Sequence, residues 1–216
     1  MKKTVSILFG LCLFPMLFSL NFETRVNLGY EYSVFTETGQ LPQTGKSGTS
    51  TMYNDGFHLG MSSFANNSNF GFFLATDYIF PSKIVSTTPT LTVAIDSKDL
   101  DIAMIISLII GFSYKIDIDK LSVVLSLGPH AALTGLGQEY NFALLNYSFG
   151  FAGQIDAQYF ISNWFYLNIG SIFSYDFYHI SEVTTPYYES KDSGLYNFTS
   201  IRPFLSLGFR IKETIQ

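Results

Sequence analysis

The chain is poor in cysteine and in charge: its 216 residues include one cysteine, and only 13 % of them are charged. A single cysteine excludes an internal disulfide and any metal site built from several thiolates. Beyond the first twenty positions no run of about 18 or more apolar residues occurs, which argues against a helical membrane protein. The net charge of −5 argues against nucleic acid as a partner.

Aromatic residues are abundant, with 14 tyrosines and 22 phenylalanines making up most of an aromatic fraction of 17 %. A chain this apolar does not stay disordered. The aromatic content is also high for a water-soluble domain of this length, so the pattern in which these residues recur along the chain becomes the main indicator of fold.

Residues 1–20 differ from the rest of the chain. Lys2 and Lys3 precede an apolar run from Val5 to Phe14, and the small residue Ser19 follows shortly after. This order predicts a cleaved secretory signal peptide, which leaves residues 21–216 as one domain. A lipoprotein acceptor role for Cys12 is disfavoured because the apolar run continues through Leu20. Cleavage would remove the only cysteine, and the net charge would become −7 because two lysines and no acids are lost.

The stretch 145–159 alternates strictly between two kinds of side chain. Odd positions are mainly aromatic or aliphatic, whereas even positions are small, polar or charged. A strand places alternate side chains on opposite faces, so one face here is apolar and the other polar. Fifteen residues are long for a strand in a soluble protein but suit a tilted strand that crosses a bilayer. In lipid such a strand must be paired on both sides, which requires a closed barrel.

The same alternation recurs in seven other segments, near 24–35, 57–62, 70–80, 101–115, 121–130, 165–177 and 201–211. In the predicted strands the outward register carries no charge. Glycine recurs once per strand in the inward register, where it relieves crowding in a narrow lumen. The charged residues of the strands all point inward, and we expect them to pair as a structural plug rather than an ion pathway: Arg25, Glu31, Asp77, Asp156, Asp176, Arg202 and Arg210.

The connections alternate between long and short, with long polar loops predicted at 36–55, 81–99, 134–141 and 179–197. This asymmetry is typical of outer-membrane barrels, which have long extracellular loops and short periplasmic turns. The sequence therefore predicts an all-β fold, an eight-stranded antiparallel up-and-down transmembrane β-barrel. Both termini are expected on the periplasmic side.

The last predicted strand carries a specific resemblance. Its run from Ser206 to Ile211 resembles the closing strand of small outer-membrane barrels of the OmpX, OmpA and OmpW type, although Ile211 stands where that family usually has an aromatic residue. The resemblance implies an outer membrane of Gram-negative or spirochaete type, with lipid and the barrel-assembly machinery as partners. It also implies an insertion signal formed by Gly208, Phe209, Arg210 and Ile211.

Two further features bear on function. In OmpW-like proteins a hydrophobic route through the barrel wall passes small apolar molecules, and by this resemblance Leu91, Val93 and Ile95 could gate such a route. Alternatively, that segment extends a strand beyond the membrane. The histidines His58, His130 and His179 lie in no local motif, so they are read as ordinary lumen or rim residues. We therefore expect no catalytic activity, no metal and no cofactor.

Three functions remain to be compared. The first is a surface-exposed structural or adhesin-like barrel whose long loops meet host or other extracellular ligands. The second is a narrow channel for small hydrophobic molecules. The third, a soluble lipocalin-like barrel with its apolar face inward, is disfavoured because its bulky Phe, Tyr and Leu side chains would overfill an eight-stranded cavity.

The register leads to a first prediction. Ile106→Lys or Phe149→Lys would place a charge against the acyl chains, at a cost of about 2–4 kcal/mol near the bilayer midplane. We expect both variants to fail to insert, measured as loss of the heat-modifiable folded band in the outer-membrane fraction. Ser148→Lys, on the other face of the same strand, is expected to be far milder. Equal insertion of all three variants would contradict the register.

Overall fold

The structure of the chain is a computed structural model, and it describes residues 22–40, 47–65, 68–87, 92–139 and 141–212. The predicted signal segment 1–20 lies outside these ranges and stays a prediction. Within the described ranges, no helix combines the length and the apolar character that a membrane span requires.

The described residues form nine strands and one short 3-10 helix. The strands are β1 (Phe22–Gln40), β2 (Ser47–Ala65), β3 (Phe70–Thr87), β4 (Thr92–Asp96), β5 (Ile102–Ile118), β6 (Leu121–Gln138), β7 (Phe142–Phe160), β8 (Phe165–Thr185) and β9 (Tyr188–Lys212), and the helix is Ser97–Asp99. Apart from β4 and β5, consecutive strands pair antiparallel; in addition β3 pairs with β5, and β1 pairs with β9. All these strands except β4 therefore close an eight-stranded barrel, and the predicted fold is confirmed.

Strand β3 has two partners on one side. Its residues 70–79 pair with β5, and its residues 83–87 pair with β4. The sequence left two alternatives for residues 91–95, a strand extension or an apolar lid. From Thr92 onward the segment is the short strand β4, which pairs with the end of β3 and so corresponds to the strand extension. Leu91 lies outside the described residues, whereas Val93 and Ile95 belong to β4.

The barrel strands are longer than predicted at one end. Strand β1 continues to Gln40, β2 begins at Ser47, and β8 and β9 meet at the turn between Thr185 and Tyr188. The loops predicted at 36–55 and 179–197 are therefore largely paired hairpins, and that part of the prediction is wrong. The alternation of apolar and polar residues lapses there, although the backbone ladder continues. We call this end of the barrel the hairpin end. The opposite end, where β1 begins and β9 ends, is called the turn end.

Burial follows the predicted register. The outward residues Leu28, Phe112 and Ile169 are 60 %, 69 % and 62 % exposed, whereas Arg25 and Arg202 are buried. The observed strands carry outward charges beyond the predicted strands, and Asp55 is an example because β2 begins earlier than expected. The Tyr30 hydroxyl on the neighbouring strand donates to its carboxylate, so this charge has a local partner on the outer face.

Two apolar layers fill the lumen. The layer nearer the hairpin end consists of Phe35, Met52, Ile79, Ile105, Ala132 and Phe198. The second consists of Phe73, Ala75, Ile109, Ala152, Ile172 and Phe204. Along the inward face of β3, Asp77 falls between Ala75 and Ile79, so a polar level lies between the two layers. The lumen is therefore closed rather than open from end to end.

Inward glycines allow close approach inside this lumen, as predicted. Gly150 on β7 lies opposite His130 of β6 and Asp176 of β8. A Cβ on Gly150 would lie 2.0 Å from the Tyr175 carbonyl oxygen and 2.6 Å from Asp176 Oδ1. The missing side chain thus lets His130 and Asp176 meet across β7.

Gly150→Ala is expected to destabilise the barrel by about 1–3 kcal/mol, because the added methyl overlaps backbone atoms. Gly153→Ala is the matched control on the outward face of the same strand, where the nearest atom to a Cβ is 3.7 Å away. Urea unfolding in detergent micelles measures both. Equal stability of the two variants would argue against close packing at Gly150.

Candidate functional site

Most of the inward charged residues belong to two separate clusters. The central cluster consists of Glu31, His58, Asp77, Ser107, His130, Asp176 and Arg202, all fully or almost fully buried. The turn-end cluster consists of Glu23, Arg25, Lys115 and Asp117. The sequence predicted a single network, so its division by an apolar layer is a correction. The physical reason is that the inward-facing residues of each strand change between polar and apolar along the barrel axis, so polar and apolar layers follow one another.

In the central cluster, Arg202 holds two groups from across the lumen. Its Nη1 donates to Asp77 Oδ2 at 2.7 Å and to Ser107 Oγ at 2.6 Å. His58 Nδ1 lies 2.6 Å from Asp77 Oδ1, and its ring stacks on Phe204 with centroids 4.1 Å apart. The strand register accounts for the grouping, because His58 and Ser107 are the partners of Asp77 on the two adjacent strands.

A second chain of contacts runs through His130. Its Nδ1 lies 2.6 Å from Asp176 Oδ1, and its Nε2 lies 3.0 Å from Ser107 Oγ. The Ser148 hydroxyl donates to Asp176 Oδ2 at 2.7 Å. Two of the three histidines, His58 and His130, are thus hydrogen-bonded parts of the central cluster.

Ser107, His130 and Asp176 have the hydrogen-bond order of an acyl-transfer triad. Two observations argue against this chemistry. Ser107 is 0 % exposed, so no substrate carbonyl reaches its hydroxyl in this conformation. In addition, Arg202 donates a hydrogen bond to Ser107 Oγ. This bond occupies a lone pair that the oxygen would need in order to act as a nucleophile. The arrangement is better explained as satisfaction of buried polar groups.

The turn-end cluster is centred on Arg25. Its Nε donates to Glu23 Oε1 at 2.6 Å, and its Nη2 donates to Asp117 Oδ1 at 3.1 Å. Lys115 Nζ donates to Glu23 Oε2 at 3.1 Å. Lys212, which is largely exposed, approaches the same carboxylate, with its Nζ 3.7 Å from Glu23 Oε2. The Arg25 guanidinium also lies over the ring of Phe160, 5.2 Å from its centroid.

The remaining predicted lumen charges lie apart from both clusters. Asp156 accepts two hydrogen bonds from Gln154, at 2.8 and 3.0 Å. Arg210 is only partly buried at the turn end, where its Nε donates to the Asn163 carbonyl oxygen at 2.8 Å. Arg210 is therefore not a lumen ion-pair residue. Sequence reasoning missed two residues of the turn-end cluster. Glu23 lies just ahead of the predicted first strand. Lys115 follows the outward residue Tyr114, so the alternation would have placed it inward.

The predicted gate segment contributes to a cavity at the hairpin end. This cavity has a volume of about 250 Å³, and Ile95 is among its apolar lining residues, with Ile84, Leu100, Leu136, Phe142 and Leu144. Glu37 also lines it. The apolar layer around Phe35 and Phe198 closes its floor. The cavity can hold a small apolar molecule but does not continue through the barrel.

The hairpin of β8 and β9 carries exposed apolar side chains beyond the barrel. Tyr187 is 97 % exposed and Leu195 is 88 % exposed. Glu182 and Lys191 form an ion pair across this hairpin, and the hydrogen bond from the ammonium raises the pKa of Lys191. The hairpin is thus a paired, ordered surface that presents aromatic and charged groups together.

At the turn end, the predicted insertion residues adjoin an aromatic group. Phe209 stacks on Trp164 with ring centroids 5.8 Å apart, and the ring centroids of Phe165 and Phe209 are 5.5 Å apart. Gly208 leaves room for the buried ring of Tyr166, which a Cβ would approach to 2.1 Å. Ile211 is exposed on the outer face. The motif therefore has a packing role, and its recognition by assembly machinery stays a prediction.

Comparison with known proteins supports the fold and little more. No protein-family profile matches the chain, and no curated protein is similar to it in sequence. Among solved structures, the outer membrane protein AlkL in lipid bilayers is similar, with a TM-score of 0.58, 15 % identity and coverage of 91 % of this chain and 93 % of that one. OprG from Pseudomonas aeruginosa gives a TM-score of 0.57 at 12 % identity, covering 88 % and 96 % of the two chains. Ail, the attachment invasion locus protein of Yersinia pestis, gives 0.51 at 13 % identity, covering 89 % and 100 %.

These likenesses and the closed sheet show the fold of the chain, which is that of the small eight-stranded outer-membrane β-barrels.

Arg202→Met tests the central cluster. The change leaves the Asp77 carboxylate buried without its cation, and we expect a loss of about 3–5 kcal/mol in unfolding free energy. Arg210→Met on the same strand is the control, and a much smaller loss is expected since Arg210 is at the turn end. Urea unfolding in micelles measures both. A loss for Arg202→Met no larger than for Arg210→Met would contradict the structural role of the cluster.

Proposed function

We propose that the chain is a surface-exposed barrel that contacts extracellular molecules through the hairpin end. In this arrangement the hairpins lie outside the cell and both termini are periplasmic. The barrel-assembly machinery reads Gly208, Phe209, Arg210 and Ile211 during insertion. The chain is not an enzyme.

The β8–β9 hairpin is the observation that carries this proposal. Tyr187, Tyr188 and Leu195 are 97 %, 63 % and 88 % exposed on it. Such groups cost free energy in water and are enriched at the centres of protein–protein contacts. The ladder between β8 and β9 already orders the hairpin, so little conformational entropy is lost when a partner binds. Among the structural neighbours, Ail is named for attachment and invasion, a role of the same kind.

A narrow channel for small hydrophobic molecules is the second candidate. The apolar cavity near Ile95 favours it. The two apolar layers and the central cluster weigh against a route along the barrel axis, because eight strands leave a lumen that side chains fill. Any passage would have to leave the cavity sideways through the wall.

Adhesion of bacteria that express the protein tests the first proposal. Cells with the native chain are expected to bind to a panel of immobilised extracellular-matrix proteins more than vector-only cells do. A variant with Tyr187→Ser, Tyr188→Ser and Leu195→Ser should lose most of this binding while inserting normally. Asp192→Asn, on the same hairpin, is the matched control and should bind as the native chain does.

Two results would contradict the proposal. One is binding no greater than that of vector-only cells, and the other is full binding by the triple variant. Uptake of a small apolar solute by liposomes containing the refolded barrel, abolished by Ile95→Asp, would favour the channel instead.

A further inference from the structure

We propose that Glu31, His58 and Asp77 form a binding site for a divalent transition-metal ion inside the lumen. The site is separate from the proposed adhesion surface and does not depend on it. The three residues come from the adjacent strands β1, β2 and β3, and one ligand atom from each lies within 4.8 Å of the others. Imidazole nitrogen and carboxylate oxygen are the ligands that Zn²⁺ and similar ions take in proteins.

Glu31 provides the first independent support. It is 0 % exposed, and neither of its carboxylate oxygens has a hydrogen-bond partner among the described residues. A buried, ionised and unpartnered carboxylate is very costly. Its neighbour in the cluster is the Asp77 carboxyl group, so burial requires either one proton shared between the two acids or a cation between them. We propose the cation.

Charge balance provides the second support. Among the described residues of the central cluster, three buried carboxyl groups, those of Glu31, Asp77 and Asp176, face a single guanidinium, that of Arg202. With all three ionised, two positive charges are missing. A divalent ion supplies both without a second proton on either imidazole ring.

The neighbouring contacts suit a metal site. His58 Nδ1 and Asp77 Oδ1 are 2.6 Å apart, a hydrogen-bond distance. An ion bound by both atoms would replace the proton between them and separate them to about 3.3 Å. Arg202 donates to the other oxygen, Asp77 Oδ2, and so orients the carboxylate from outside the ligand set. The stacked ring of Phe204 fixes the plane of the imidazole. Gly60 leaves open the space beside His58 Nε2, which a Cβ would approach to 2.9 Å.

The ion must enter before the barrel closes. The central cluster lies between the apolar layers around Phe35 and Phe73, and neither layer offers ligands to a hydrated cation. We therefore expect uptake during folding and slow exchange afterwards. Structural metal sites of this kind couple binding to folding.

The test is metal content after refolding. The full barrel is refolded into detergent micelles with Zn²⁺, treated with a chelator, desalted and analysed by elemental mass spectrometry. Native protein is expected to retain a stoichiometric amount of zinc. Glu31→Gln and His58→Gln should retain at least about tenfold less. Asp156→Asn is the matched control, because it removes a lumen carboxylate outside the ligand set, and it should retain zinc as the native chain does.

Several outcomes would overturn the site. They are zinc that the chelator removes from the folded native barrel, full retention by Glu31→Gln, loss in Asp156→Asn, or equal retention of Ca²⁺ in place of Zn²⁺. Heat-modifiable migration shows whether each variant is folded. Refolding the native chain with Co²⁺ gives a readout that needs no variant. We expect a visible absorption spectrum typical of Co²⁺ with few ligands, all of them nitrogen or oxygen. A spectrum of hydrated Co²⁺ alone would refute the proposal.

Discussion

The structure depends on one requirement, that every backbone amide within the bilayer finds its hydrogen-bond partner inside the protein. The pairing of β1 with β9 meets it, because this ladder removes the two edges that an open sheet would expose to lipid. Closure with eight strands then fixes the width of the lumen, which side chains must fill. The narrow lumen in turn explains the inward glycines and the alternation of apolar and polar levels. The outer face is left free to be apolar.

Within that lumen, polar residues are organised by register rather than by position along the chain. Asp77 has His58 and Ser107 as its two cross-strand partners, and Arg202 reaches it from the opposite wall. Each group by itself would be costly to bury. Together they satisfy most of one another's hydrogen bonds. Among the described residues of the central cluster, His58 Nε2, Arg202 Nε and both oxygens of Glu31 are the exceptions. Glu31 has no hydrogen-bond partner at either oxygen, and it marks the level of the barrel where a further ligand fits best.

The sequence predicts the membrane part of the fold well, because the period of two directly reports which side of the wall each residue faces. Leu28 and Arg25 show this, since each has the exposure that its register requires. For the hairpins the sequence predicts loops, because the alternation lapses around Thr36 to Asp55. The clusters were harder to predict. Arg202 and Arg210 have the same local pattern, but which acids face them across the lumen depends on the stagger of distant strands.

The length of the last two strands has a consequence for the cell surface. A bilayer takes about 9–11 residues of a tilted strand, and β8 and β9 contain 21 and 25 residues. Roughly half of this ribbon therefore stands clear of the lipid, at about 3.4 Å per residue along the strand. In the orientation that we propose, this reach holds the exposed tip at Tyr187 well clear of the lipid headgroups.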